Sequence, residues 1–193
     1  MGVIDNTVTL AGRLVTLRPV SREDYPTLFR WRSDIESVQM LNFRRNIITY
    51  EQFVSEFEHL LPSSTLLLVL DRKSGSAIGY AMSYNPEPSS GSLSVGIFIE
   101  SEYRLKGHGG EAALRCVNAV FRWFREGYLR RFMTAQAMGF EESGYLPDHY
   151  WHEDRFWGLH RMMLARERWE ALRERFADIL RIERQYRELT RVV

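Results

Sequence analysis

The feature that most constrains this chain is a glycine-rich turn between an apolar strand and a long helix, GIFIESEYRLKGHGGEA at residues 96–112. Ser92 to Ile99 reads as a strand, with Leu93, Val95, Ile97 and Ile99 sharing one face. Gly109 to Phe124 reads as a helix whose buried stripe is Ala112, Cys116, Ala119, Val120 and Trp123. Gly107, Gly109 and Gly110 let the backbone turn tightly between them and direct its N–H groups outward.

Such a turn has a chemical reading. A helix N-terminus carries the positive end of the helix dipole, and together with outward N–H groups it makes an anion site suited to a pyrophosphate. Arg104 and Lys106 add charge, and Lys106 is one of only two lysines, the other being Lys73. The competing reading is a plain turn with glycine caps. Two other phosphate motifs are excluded. Residues 107–112 read GHGGEA, which fails the dinucleotide pattern G-x-G-x-x-G, and no Gly-Lys-Ser or Gly-Lys-Thr ending follows.

The rest of the chain supplies strands and helices around this turn. Arg13 to Pro19 alternates as a strand. Ser21 caps a helix that turns Tyr25, Leu28, Phe29 and Trp31 inward, with a polar turn at Ser33 and Asp34. Thr49 caps a second helix with Phe53, Phe57 and Leu60 on one face. Thr65–Leu70 and Ala77–Tyr84 read as strands joined by a hairpin at Asp71–Ser76, the second with Ile78, Tyr80 and Met82 on one face. Asn85–Gly91 reads as an exposed loop. Phe132–Ala137 reads as a short strand, Tyr145–Trp151 and Phe156–Leu164 as a strand pair, and Arg166–Leu189 as one long helix. The first half of that helix is expected to dock on the domain.

At 193 residues, with 45% hydrophobic and 26% charged residues, the chain fits one folded domain. A net charge of +1 gives no general attraction to nucleic acid or an anionic membrane. No apolar run is long enough to span a bilayer, and the first nine residues lack the marks of a secretory signal. The single cysteine, Cys116, excludes an internal disulfide. A cytoplasmic location is expected.

On these residues the chain resembles the GCN5-related N-acetyltransferases. Their cofactor loop is Gln or Arg, two residues, Gly, one residue, then Gly or Ala, and Arg104, Gly107 and Gly109 occupy those places. RLVTLRPVSREDYPTLFRWRSD (13–34) and GFEESGYLPDHYWHEDRFWGLHRMMLARERW (139–169) resemble the branch that acetylates ribosomal-protein N-termini and related amines. The resemblance implies an α+β fold, with a mixed, mostly antiparallel sheet, a splayed strand pair, flanking helices and a long C-terminal helix. Residues 1–165 would form the acyltransferase-like domain and 166–193 its helical extension. It implies acetyl-CoA or another acyl-CoA as co-substrate, held by Phe98, Ile99, Arg104, Leu105, Lys106, Gly107, His108, Gly109 and Gly110. A primary amine would attack the acyl carbonyl directly, with a backbone N–H near Ile99 stabilising the oxyanion.

One departure from the family is visible. Its members carry a helix, with a proton-donating tyrosine, between the strand ending near Ala137 and the next Gly-Phe. Here Gly139-Phe140 follows almost at once, about a dozen residues fewer, the length a parallel crossover needs. The expected outcomes are a rearranged local connection, strands exchanged in a homodimer, or a strand that ends early and unwinds into a connector. Tyr145 and Tyr150 are candidate substitutes for the proton donor, and Glu100 is a candidate base acting through water. The bland reading makes both tyrosines ordinary sheet aromatics. Trp31, Asp34, Glu36 and Trp151 are candidate substrate contacts. His149 and His152 form H-x-x-H without a third ligand, so no metal is expected. Two alternatives remain: a binding module that keeps acyl-CoA without turnover, and a transferase served by a carrier protein docking on Arg115, Arg122 and Arg125.

Overall fold

The computed structural model describes residues 9–34, 48–61, 64–87, 89, 92–123, 128–132, 138–152 and 155–180, with the side chains of 122, 123, 128–132, 150–152 and 180 outside that description. The chain divides into two compact units, one within Val3–Met82 and Ile97–Ala113, the other within Ser83–Gly96 and Leu114–Val193 together with Met1–Gly2. Strands β4 (Ala77–Glu87) and β5 (Ser92–Ile99) and helix α3 (His108–Trp123) run through both.

In the first unit the strand order follows the sequence: β1 (Leu10–Ala11), β2 (Val15–Pro19), β3 (Thr65–Asp71), β4 and the end of β5. β2 is antiparallel to both β1 and β3. The turn after β2 is fixed locally. Asp24 accepts both guanidinium nitrogens of Arg18, each at 2.7 Å, and closes a capping box with Ser21. Pro26 then starts α1 (Tyr25–Ser33). Thr49 and Gln52 form a second capping box ahead of α2 (Tyr50–Leu60). Both helices bury aromatic residues in one cluster: Tyr25, Leu28 and Trp31 from α1, and Phe53 from α2, meet Leu66, Leu68, Tyr80 and Phe98 of the sheet. Phe29 and Phe57 are partly buried against it. Leu60, expected on that face, is exposed.

The central strands are covered on both sides, so the one-face alternation expected for β4 and β5 does not hold. Ile78, Tyr80 and Ala81 are all buried, as are Ser92 through Val95, while Met82 and Ile97 are only partly so. Such burial is characteristic of strands packed on both faces. β4 also continues through Asn85–Glu87, which sequence alone reads as loop.

The second unit contains the end of β4, the start of β5, β6 (Tyr128–Phe132), β8 (Arg155–Ala165) and β7 (Glu141–His152), in that spatial order. β5 and β6 are parallel, joined through α3, and β8 lies antiparallel between β6 and β7. β6 holds Phe132 opposite Arg161 of β8, and the rest of the strand expected at Phe132–Ala137 lies outside the described residues. Residues 133–137 lie outside the described residues, and with them the question of the family's helix. The connection is held where it re-emerges. Gly139 has φ +90°, its carbonyl accepts Arg168 Nε at 2.7 Å, and a Cβ there would lie 2.1 Å from Leu172 Cδ1.

Helix α3 is buried on every side from Glu111 to Phe121, not along a stripe. The C-terminal segment docks against it. It is not one long helix but α4 (Arg166–Leu172), a 3-10 turn (Arg173–Phe176) and α5 (Ala177–Leu180). The tighter turn brings Phe176 into a stack with buried Trp169 at 6.0 Å, and Trp169 in turn stacks on Phe121. Arg166 donates to the Phe121 carbonyl near the C-terminus of α3, where a cation is favoured. Residues 181–189 of the expected helix lie outside the described residues.

One glycine sets how closely β4 and β5 approach. A Cβ on Gly79 would lie 2.1 Å from the Phe98 carbonyl oxygen and 3.0 Å from Ile99 Cα. Gly79→Ala is therefore expected to lower stability by about 1–3 kcal/mol through overpacking, read as a lower urea midpoint. An unchanged midpoint contradicts the close approach.

Candidate functional site

The end of β5 has two different edges. The Glu100 N–H donates to the Ile78 carbonyl at 2.8 Å, and the Phe98 carbonyl faces Gly79, so Phe98 and Glu100 address β4. Backbone groups alternate along a strand, so those of Ile97 and Ile99 face away from β4. On that side, among the described residues, β5 pairs with β6 at Ser92↔Tyr128, Leu93↔Leu129 and Ser94↔Arg130.

Beyond β5 the chain forms a 3-10 turn at Ser101–Tyr103, and Arg104 Nε returns to donate to the Ile99 carbonyl at 2.8 Å. Leu105 follows with φ +58° and a fully exposed side chain. Gly107 has φ +91°, and a Cβ on it would lie 3.1 Å from Leu14 Cδ1. The first helical hydrogen bond of α3 is Glu111 N–H to the Gly107 carbonyl, 3.0 Å. The preceding amides therefore lack intrahelical acceptors, as at any helix start. Gly110 is exposed, with nothing within 4 Å of a Cβ position.

Two buried acids fix this helix start. Glu111 accepts the amide protons of Arg13 and of Leu14, the latter at 2.7 Å, one on each carboxylate oxygen. His108 places Nε2 3.3 Å from Asp71 Oδ1 and sets its ring edge-on to Tyr103. Its Nδ1 is buried with no hydrogen-bond partner among the described residues. Asp71 is held below its ordinary value of 3.8, first by the Ser74 hydroxyl and then by the Ser74 amide, with His108 adding to them against the effect of burial. A helix start with three nearby glycines, anchored by Glu111 and by the Asp71–His108 pair, can accept an oxyanion on its amides.

The expected site residues divide accordingly. Phe98, Ile99, Arg104, Leu105, Lys106, Gly107, His108, Gly109 and Gly110 all lie at the strand end, loop and helix start just described. Within that set Phe98 is core and His108 is buried, while Lys106 is exposed. Arg104 is partly buried and ties the loop to β5, rather than simply adding charge. Glu100 Oε1 accepts from Arg30 at 2.7 Å and from the Trp31 indole at 2.6 Å, binding α1 to the end of β5. Trp31 is buried against Tyr80 and Phe98, so it belongs to the core and not to an open substrate wall. Asp34 is exposed at the end of α1, and Glu36 lies outside the described residues.

In the second unit Tyr145 is exposed and its ring lies 4.7 Å from that of His160, whose Nδ1 is 3.2 Å from Glu142 Oε2. The Tyr145 hydroxyl overlies Gly158, where a Cβ would be 2.1 Å away. Tyr150 and Trp151 pair with Trp157 and Phe156 in the β7–β8 ladder, and their side chains lie outside the described residues. Arg115, expected on a docking surface, is buried and donates to the Ile179 carbonyl at 2.8 Å. Among the described residues, no cluster of three His, Cys, Asp or Glu is placed to hold a metal, and no helix is long and apolar enough to cross a membrane. Sequence reasoning missed Glu111, Asp71 and His160. Their partners lie far along the chain, and no local pattern marks them.

Comparison with known proteins agrees with this architecture. The model for the acetyltransferase (GNAT) domain matches residues 14–138, and the chain belongs to that family. No curated protein sequence matches. Among solved structures, spermidine N-acetyltransferase from Vibrio cholerae, in complex with CoA and spermine, superposes with a TM-score of 0.72 at 16% identity, covering 81% of this chain and 98% of that one. A GCN5-related N-acetyltransferase from Brucella melitensis gives 0.68 at 18% identity, covering 90% and 85%. A candidate ribosomal-protein-serine acetyltransferase from Vibrio cholerae gives 0.61 at 12% identity, covering 84% and 99%. At such identities the likeness is one of fold.

The Asp71 anchor has a pH signature. Its folded pKa is depressed, so its stabilisation is complete above the unfolded value and is lost as pH falls through the folded one. Wild-type stability is expected to decline below about pH 4. Asp71→Asn, less stable at neutral pH by about 1–3 kcal/mol, should show a shallower acid decline in urea unfolding. The same acid decline in both proteins contradicts the assignment.

Proposed function

We propose that the chain is an acyl-CoA-dependent N-acyltransferase, with acetyl-CoA as donor and a primary amine as acceptor. The observation that carries this reading is the combination at the end of β5: a strand edge turned away from β4, leading directly into a glycine-rich helix start. A pantetheine arm offers amide groups that can pair with the Ile97 edge. Its pyrophosphate suits the amides at Gly107–Gly110. The solved relative bound to CoA and spermine supports an amine acceptor, and a polyamine and a protein N-terminus both present one.

The proposed reaction is direct attack. The neutral amine adds to the thioester carbonyl, its nitrogen gives up a proton to water, the oxyanion receives the Ile99 N–H, and collapse breaks the C–S bond and releases the thiolate, which takes up a proton. Tyr145 is the proposed donor of that proton. Its support is chemical: an exposed phenol packed on an imidazole that Glu142 holds. Glu100 is proposed as a positioning residue rather than a base, because Arg30 and Trp31 both bond one of its oxygens.

Gly110 gives the cleanest test of the cofactor reading. A side chain there meets nothing, and replacing glycine within a helix favours folding. Gly110→Glu is expected to retain the thermal midpoint while CoA binding, followed by calorimetry, falls at least about tenfold through charge repulsion and obstruction. Equal CoA affinity in both proteins defeats the reading. Turnover is tested separately, by thiol release from acetyl-CoA with an amine panel. Tyr145→Phe should lower kcat about 10- to 100-fold with KM little changed. CoA binding without any amine-dependent thiol release would identify a binding module instead.

A further inference from the structure

Leu105 is a cost to the folded chain with no return inside it. Its φ of +58° lies in the left-handed region, which a side chain with a Cβ enters only against steric resistance. Its relative exposure is 106%, so the isobutyl group gains nothing from packing. Glycine would remove the resistance, and glycine occurs at 107, 109 and 110 of the same loop.

The pose is imposed from both sides. Before Leu105, the Arg104 guanidinium is tied to the Ile99 carbonyl. After it, Gly107 makes its own left-handed turn against Leu14. The loop thus holds one apolar group out into solvent, two residues ahead of the glycines proposed to receive pyrophosphate. Chain geometry limits the Leu105 and Gly107 Cα atoms to about 7 Å apart. In coenzyme A the pyrophosphate joins two halves. The pantetheine half is assigned to the β5 edge, so the adenosine half extends from the other side of the pyrophosphate, within reach of a neighbouring loop side chain. Adenine presents flat apolar faces, to which a branched aliphatic side chain is complementary.

We propose that Leu105 is held in its left-handed conformation to pack against the adenine ring of the coenzyme, which makes it a determinant of affinity for coenzyme A over adenosine-free fragments. This inference rests on the coenzyme A reading above. It requires no displacement of any other residue, since the side chain is already outside the protein surface.

The test is a calorimetric comparison of wild type and Leu105→Asn against coenzyme A, phosphopantetheine and adenosine bisphosphate. Asparagine tolerates the left-handed region, so the loop is kept while the apolar contact is removed. The expected result is an equal or higher thermal midpoint, with coenzyme A and adenosine bisphosphate weakened about fivefold or more and phosphopantetheine unchanged. Equal weakening of all three would overturn the proposal by showing that Leu105 sets loop geometry. Unchanged binding of all three, or a lower midpoint, would also overturn it. If wild type binds coenzyme A and the variant behaves in one of these ways, only this inference falls. If wild type binds no coenzyme A, the cofactor reading falls with it.

Discussion

The Glu111 carboxylate is the contact on which the glycine-rich loop and the start of α3 depend. It lies in the first turn of α3, where an acid normally complements its own helix start and competes with any anionic ligand. Here both of its oxygens are occupied by the amides of Arg13 and Leu14, at the approach to β2. That pairing satisfies two backbone donors and a buried charge together. It also ties the start of α3 to the approach to β2. The Asp71–His108 pair adds a second anchor one turn away, and Leu14 packs against Gly107 on the same side. A loop otherwise rich in glycine is thereby tied at its helix end to β2 and β3, which would lower the ordering cost of the proposed cofactor binding.

A second constraint comes from the sheet. Gly79 brings β4 against β5 so closely that the Phe98 carbonyl fills the space of a side chain. Phe98 and Glu100 are thus committed to β4, and Ile97 and Ile99 are turned the other way. The aromatic cluster of Trp31, Tyr80 and Phe98 backs the same strand end, and Glu100 ties α1 to it through Arg30 and Trp31. The strand edge and the helix start are therefore each fixed by buried contacts, while Leu105 between them remains exposed.

The local features of this arrangement were legible in the sequence. The glycine spacing at 107–110 placed the turn, Ser21 and Thr49 marked the helix caps, and alternation located β2. Reading failed where tertiary contacts override local pattern. β4 and β5 look one-sided because Gly79, Ser83 and Ser94 are small or polar, yet they are buried between two layers. β6 starts at Tyr128, earlier than apolar content suggests, because Arg130 and Arg131 interrupt the pattern while pairing with β8 sets the register. Trp31 resembles a substrate contact in sequence, but its indole is sequestered by Glu100, 69 residues away. The role of Arg115 is likewise set by Ile179, a contact no periodicity announces.

The central claim is that the β5 edge and the α3 start form one cofactor surface, and backbone amide NMR tests it most directly. On titration with coenzyme A, the account predicts saturable shifts of the Ile97 and Ile99 amides together with those of Gly107 to Gly110, all with a single dissociation constant. Saturable binding that leaves these amides unmoved, or the absence of any saturable shift, would contradict it.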